Sequence, residues 1–598
     1  MIKYIKVMIV KSHSFLRRIA RFVLNIVLPK KAEVKFVSIS EKDHLNRLDN
    51  YLNYQDENKK IAFVTAISGN YEDLKVPEFF DFEIDYFIFT DDESLKVFKP
   101  FKKIVLNKFE VDPTRIARWV KLNHYKVLNL IGDYEFVIWV DSNLLVRNSL
   151  VPYVELLRRN QTDLGMFKHP ARTSLKQEVE ACQRLNKDSI IDLDEQYNAY
   201  KSQYDIEEIN KIPVIETNVY VANIKNENVI NLFFDWYQDL FRYTRRDQLS
   251  LPVALYKNKN IRLTYLEKSQ ELTPRFNKFS FEIFRHEDKE SYKTPSYLPQ
   301  GDTIYLSDLE LSSSTVNSSL SIVVPIFNAP KEVAQLLSSI NNQVDKDFQL
   351  ILVDDASEQK TAELVESYAS THENTILVKH DTNKGYTTTV NDGISASDNE
   401  LITVLNSDTI LPKTFVSKIK EYSSKYPSIS AFGPITNAGS WQNTPLLHDE
   451  SGSIAINALP KDVSVDMMNK ILSSENEAKG VIKVNLLNGF CYTVRKSVYE
   501  DIGLLDVDSF PSGYGEEDDF FIRMNLKGYQ VGIIKQLYVY HHKTKSFTST
   551  QKQEFSKKGQ KTLHSKYTKE LVVRLVKNSA LNTELSDYRE FVKNKFYL

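Results

Sequence analysis

The chain has 598 residues, which at roughly 100–200 residues per domain predicts more than one domain. Hydrophobic residues make up 42% and charged residues 26%, ordinary for a globular protein, and a net charge of −2 excludes a general attraction to nucleic acid. The two cysteines, Cys182 and Cys491, stand one in each half with no CxxC pair and no Cys/His cluster, which argues against structural zinc and a disulfide framework and fits a reducing compartment.

In residues 1–32, Lys3, Lys6, Lys11, Arg17, Arg18, Arg21, Lys30 and Lys31 all precede the first acid, Glu33. Phe15, Ile19, Phe22, Val23 and Ile26 recur at helical spacing among them. The longest uncharged stretch falls far short of the ~20 residues that span a bilayer. The pattern predicts a basic amphipathic helix on an anionic leaflet, placing the protein in the cytoplasm on the inner face of the cell membrane.

The first α/β block opens at residues 61–67 (IAFVTAI), a buried-strand pattern. A second strand, 85–90, ends in Asp91 and Asp92, a helix follows over about 113–130, and a third strand, 136–140, ends in Asp141, Ser142 and Asn143. Asp141 and Asn143 offer one carboxylate and one amide oxygen to a hard cation, although all three residues also favour turns. Arg115, Arg118 and Lys121, at i, i+3 and i+6, predict a cationic helical face able to grip a diphosphate, or simply a solvated one. His169, Pro170 and Arg172 follow a short strand at 164–167, and Arg245, Arg246, Asp247 and Gln248 precede an apolar run that could bring an acid to a sugar.

A polar connector, 271–319, separates this block (58–270) from a second one, 320–550, with a Lys-rich, partly helical tail at 551–598. In the second block, strand 320–325 opens the series, strand 350–353 ends in Asp354 and Asp355, and strand 401–405 ends in Asn406, Ser407 and Asp408. Alternating strands and helices predict mostly parallel sheets, with ligand sites beyond the strands' carboxyl ends. Asp408 is placed to hold a divalent cation against a departing diphosphate. The cluster Glu516, Glu517, Asp518 and Asp519 at a helix start supplies candidate bases, and His541 and His542 a candidate metal ligand.

On these motifs residues 320–550 resemble family-2 glycosyltransferases of the GT-A fold. The matching pieces are Val324-Pro325-Ile326-Phe327-Asn328, Val353-Asp354-Asp355-Ala356-Ser357, Asn383-Lys384-Gly385-Tyr386, Asn406-Ser407-Asp408, Asn488-Gly489-Phe490 and Gly515-Glu516-Glu517. Gly433-Pro434-Ile435-Thr436-Asn437 with Trp441-Gln442 looks like a stretch of members that build bacterial surface polysaccharides. The resemblance implies nucleotide-sugar contacts from Pro325, Asp354, Asp355, Asn383, Lys384, Gly385 and Asn406, with Asp354 and Asp355 on the base and ribose. It implies Mg²⁺ or Mn²⁺ at Asp408 with His541, a catalytic base at Glu517 with Glu516 as neighbouring candidate, and inverting transfer. Glu517 stands where the family often has Asp.

The first block resembles a glycosyltransferase-like domain of formerly unknown function and, distantly, family-8 transferases. The resemblance rests on Thr65-Ala66-Ile67-Ser68-Gly69-Asn70-Tyr71, Phe89-Thr90-Asp91-Asp92, Trp139-Val140-Asp141-Ser142-Asn143, His169-Pro170 with Arg172, and Arg246-Asp247-Gln248. It implies a second GT-A-like domain with metal at Asp141 and Asn143 and Asp247 near the sugar; Arg115, Arg118, Lys121 and Arg172 are the candidate nucleotide-sugar contacts. The expected fold is thus α/β, two tandem GT-A-like domains of mostly parallel sheet behind a short basic helix. The expected protein is a bifunctional transferase moving sugars from UDP- or dTDP-sugar donors to a lipid-linked or protein-linked glycan acceptor. The alternative keeps one active site, in the second block, and makes the first an acceptor-binding module.

Overall fold

The computed structural model describes residues 39–54, 58–69, 72–107, 109–266, 280–284, 292, 294–311, 318–543 and 549–597. The basic segment 1–32 and most of the serine-rich linker lie outside the described residues. Among the described residues no helix is long and apolar enough to cross a membrane.

Two sheets carry the fold. The first contains β1 (Ile61–Ala66), β2 (Ile84–Thr90), β3 (Lys102–Val105), β4 (Phe136–Val140), β6 (Leu164–Lys168), β7 (Ile215–Asn223), β8 (Leu263–Tyr265) and β10 (Asp302–Tyr305). β5 (Leu144–Val146) and β9 (Phe281–Ile283) form a separate ribbon. The sheet order is β10-β3-β2-β1-β4-β7-β6-β8, and its first five strands are parallel. β1 and β4 are apolar and buried along their whole length, as strands covered on both faces must be. Helices Pro113–Ile131 and Glu227–Arg242 contribute to the core on one face; helices Glu41–Asn53 and Val151–Asn160 contribute to the other.

β10 falls within the expected connector, and it pairs with β3 as an edge strand. Its residues are mostly exposed, so its composition reads as linker while its backbone is sheet. The first unit therefore runs past residue 270.

The second sheet contains β11 (Leu320–Ile326), β12 (Gln349–Asp354), β13 (Thr375–Lys379), β14 (Leu401–Leu405), β15 (Thr409–Ile410), β16 (Ile429–Thr436), β17 (Val481–Val484), β18 (Cys491–Arg495) and β19 (Gln530–His541). Its order is β13-β12-β11-β14-β18-β16-β19-β15, with β17 paired to β19. In each sheet the order reverses around the first strand, between β2 and β4 in one and between β12 and β14 in the other. That reversal opens a crevice at the carboxyl edge, the place where open α/β sheets hold ligands. Asp141 follows β4 and Asp408 follows β14, so both sit at this edge.

The tail forms three helices, Ser549–Lys566, Lys569–Ala580 and Thr583–Phe596. Leu571, Leu575, Leu585, Tyr588 and Val592 bury themselves in the core of the second unit. From the same helices Arg574 reaches the first unit, bonding Glu110 Oε2 at 2.9 Å and the Phe241 carbonyl. Asn578 Oδ1 accepts from the Val111 N–H at 3.2 Å, and Asn578 Nδ2 donates to Asn485 Oδ1 at 3.2 Å. The tail thus ties the two units together.

Candidate active sites

The second unit builds its site from loops at the carboxyl ends of its strands. Asp354 ends β12 and accepts the Ser357 N–H at 3.1 Å, a local turn bond. Asp355 is buried and accepts the N–H of Lys384 at 2.7 Å and of Gly385 at 3.0 Å. The Asn383-Lys384-Gly385 loop is therefore folded onto Asp355, with Asn383 Nδ2 donating to the Asp355 carbonyl at 3.3 Å. Gly385 holds φ +86°, and a Cβ there would meet the Pro511 carbonyl oxygen at 2.5 Å, so only glycine fits. Buried His380 joins Asp355 (2.8 Å) to Asp392 (3.0 Å); sequence reading passed it over, because a lone histidine after a strand carries no motif.

Asp408 and His541 meet at 3.3 Å, Oδ1 to Nε2. His541 Nδ1 lies 2.8 Å from the Ala438 carbonyl, which can only accept, so the proton is on Nδ1. In the neutral ring the Nε2 lone pair then faces a carboxylate oxygen. Two electron-rich atoms so placed call for a proton or a metal ion, and the fixed tautomer is that of a histidine ligand. A hard cation fits this carboxylate–imidazole pair, with a ligand's oxygens completing the set. Asn437 locks the arrangement, accepting from His541 N–H (2.8 Å) and donating to its carbonyl (3.0 Å). His542 contributes its backbone N–H to the Asp408 carbonyl at 2.9 Å.

The stretch around Trp441 and Gln442 is scaffolding for this site. Trp441 Nε1 donates to the Leu486 carbonyl at 2.8 Å, and Gln442 bridges the Pro434 carbonyl (2.7 Å) and the Asn488 N–H (2.7 Å). Asn488 leads into Gly489, over which the Glu517 carboxylate lies: a Cβ on Gly489 would meet Glu517 Oε1 at 3.3 Å. Phe490 stacks on His541, ring centroids 5.1 Å apart.

Helix Glu516–Leu526 presents the acidic cluster, and its four members have distinct surroundings. Asp519 pairs with Arg523 (2.9 Å) and Lys566 (2.5 Å) and accepts the Tyr567 hydroxyl at 2.8 Å. Burial and the charge of Glu517 push the Glu516 carboxyl well above its ordinary range, and its Oε2 is buried without a hydrogen-bond partner. Burial, then Glu517 and Asp519, raise Asp518 as well. Glu516 therefore keeps its proton. Tyr386, whose hydroxyl donates to Asn406 Oδ1 at 3.1 Å, is held protonated by burial and by the charges of Glu516, Glu517 and Asp408. Glu516, Glu517 and Asp408 thus all lie near Tyr386. Pro325 lies within buried β11.

The first unit is built differently. Lys121, fully buried on helix Pro113–Ile131, puts Nζ 2.8 Å from Asp247 Oδ2 and 3.2 Å from Asp141 Oδ1. Trp139 Nε1 donates to Asp141 Oδ1 at 2.7 Å, and Thr217 Oγ1 donates to Asp247 Oδ2 at 2.8 Å. Arg118 Nη1 stands 3.4 Å from Asp247. Burial alone would raise the Asp247 carboxyl; Arg118, Lys121 and Arg246 outweigh it and hold Asp247 well below the usual carboxylate range. Asn143 Nδ2 donates to the Phe284 carbonyl at 3.3 Å.

Arg115 is not at this site. Its guanidinium donates to the carbonyls of Leu240 (2.7 Å) and Tyr243 (2.9 Å) and pairs with Glu570 of the tail at 3.3 Å. At 3.6 residues per turn, six residues rotate a side chain to about 120° from its start, so Arg115 and Lys121 diverge. Arg172 is likewise held elsewhere, paired with buried Glu178.

Comparison with known proteins agrees with this division. Residues 321–503 match the model for glycosyl transferase family 2, and residues 37–273 match that for the TOD1/MUCI70 glycosyltransferase-like domain. Glycosyltransferase GlyG of Streptococcus pneumoniae is 32% identical over 17% of this chain and 33% of its own length. An uncharacterized glycosyltransferase of Haemophilus influenzae is 21% identical over 40% of this chain and 71% of its own. A poly(ribitol-phosphate) beta-glucosyltransferase of Bacillus spizizenii is 29% identical over 15% and 14%. The chain thus spans about a third of the length of the first of these relatives.

Proposed function

We propose that the chain is a bifunctional glycosyltransferase that extends a surface glycan, using a UDP- or dTDP-sugar in each of two sites. The observation that carries this reading is the Asp408–His541 pair at the switch point of the second sheet, with Asp408 and Glu517 both near Tyr386. Asp408 and His541 would hold Mn²⁺ or Mg²⁺, which supplies positive charge to the departing diphosphate. The Asp355-folded loop and Asn406 border the nucleotide-sugar pocket. Glu517 takes the proton of the acceptor hydroxyl, whose oxygen attacks the anomeric carbon opposite the leaving group, giving inversion. The family match of residues 37–273 and its sheet-edge cluster support a second transfer in the first unit. A poly(ribitol-phosphate) beta-glucosyltransferase among the relatives supports a polymeric acceptor. The basic pattern of residues 1–32 supports attachment to the cytoplasmic face of the membrane.

The test is release of nucleoside diphosphate from a panel of UDP-, dTDP- and GDP-sugars by the full chain and by Asp408→Asn and Asp247→Asn. Two donors turned over, each lost in a different variant, is the expected result. If Asp247→Asn leaves every donor's turnover intact, the first unit is an acceptor-binding module and one active site remains.

A further inference from the structure

In the first unit an amino group of the chain stands where the second unit offers a place for a cation. Lys121 Nζ lies between Asp141 and Asp247, at 3.2 and 2.8 Å, and 5.5 Å from the centroid of Trp139. The Asp141 oxygen that faces it also accepts the Trp139 N–H, and the Asp247 oxygen also accepts the Thr217 hydroxyl. A divalent ion coordinated by either of these oxygens, at the roughly 2.0–2.2 Å that Mg²⁺ demands, would have to expel a fully buried ammonium group into a neighbourhood already holding Arg118 and Arg246. The oxygens of Asp141 and Asp247 that face Lys121 are therefore closed to a divalent ion, against the metal ligation expected of Asp141.

The residues present fit an anion better. Arg118 and Lys121 pair with Asp247, Lys121 also with Asp141, and Arg246 stands between Asp247 and Glu178 with a buried Nε that has no hydrogen-bond partner. We propose that the first unit binds the diphosphate of its nucleotide sugar without a divalent cation, through Arg118 and Arg246, while Lys121 fixes the two carboxylates. This rests on reading residues 37–273 as a nucleotide-sugar domain.

The test uses the full chain and two readouts that do not depend on turnover. Free Mn²⁺ is counted by electron paramagnetic resonance with and without UDP, and binding of UDP, dTDP and GDP is measured by calorimetry in EDTA. One Mn²⁺ per chain is expected, lost in Asp408→Asn and kept in Asp141→Asn. In EDTA, Asp408→Asn should still bind one nucleoside diphosphate, at least tenfold more weakly when Arg118→Ala is added. A second Mn²⁺ site that survives Asp408→Asn and disappears with Asp141→Asn overturns the proposal but leaves the nucleotide-sugar reading standing. No nucleotide bound by Asp408→Asn in EDTA, together with no second Mn²⁺ site, overturns the nucleotide-sugar reading of the first unit and the proposal with it.

Discussion

Asp408 and Asp141 occupy the same topological position, each just past the strand beside the reversal of its sheet, yet their neighbours carry opposite meaning. Asp408 faces an imidazole whose Nδ1 proton is committed to Ala438. Asp141 faces an ammonium group and an indole N–H. Sheet topology decides where a ligand goes, whereas the counter-charge on the neighbouring helix or strand decides what kind of ligand it is. In the first unit the cationic charge is built in by Lys121, whereas the Asp408–His541 pair of the second leaves room for a proton or a metal ion.

The largest expected effect breaks that built-in charge. Lys121→Met leaves Asp247 buried with Arg118 and Arg246 but without its closest partner, and should cost about 3 kcal/mol in urea denaturation. Adding Asp247→Asn should recover part of the loss, since the buried charge is then gone with its partner. An unchanged midpoint for Lys121→Met would mean that the ammonium group is not the counter-charge of this site.

A smaller effect sharpens the other half of the comparison. Asn437 touches no ligand position itself; it clamps both backbone groups of His541. Asn437→Ala should weaken Mn²⁺ binding about 10–100-fold by freeing the ring, with the fold intact. The readout is the Mn²⁺ concentration giving half-maximal turnover. The same substitution should not move nucleoside diphosphate binding by the first unit in EDTA.

Much of this was legible in the sequence. Apolar runs ending in Asp gave β2, β4, β12 and β14 and set Asp141 and Asp408 at the sheet edges. The family motifs marked the Asn383–Gly385 loop, and the structure shows why it is shaped so, since both Asp355 oxygens fold it. What could not be read was the identity of partners distant in the chain. Lys121 and Asp247 are 126 residues apart, and a helical lysine reads as a surface cation until a second helix buries it. Likewise the tail reads as helical, but nothing in its spacing says that Arg574 will reach Glu110, 464 positions away. Strand β10 hid because an edge strand exposed to solvent has the composition of a linker.

The last prediction concerns protons rather than metal. In the folded protein burial and the Glu517 charge hold Glu516 protonated, whereas in the unfolded chain it ionises near the ordinary value of about 4.3. The folded state thus binds the extra proton. Its contribution to stability is complete below the unfolded value and is lost as pH rises toward the folded one, at about 1.4 kcal/mol per pH unit. Asp518, raised by burial, has the same sign. Glu516→Gln removes one of these protons from the linkage, so its unfolding free energy should fall less steeply than the wild type's between pH 5 and 8. Equal slopes would place an ionised Glu516 in the folded protein and return it as a rival to Glu517 for the acceptor's proton. A flatter slope with turnover retained, against loss of turnover in Glu517→Gln, leaves Glu517 as the base. It would also show that the second unit separates its acids by burial, as the first separates its charges by pairing.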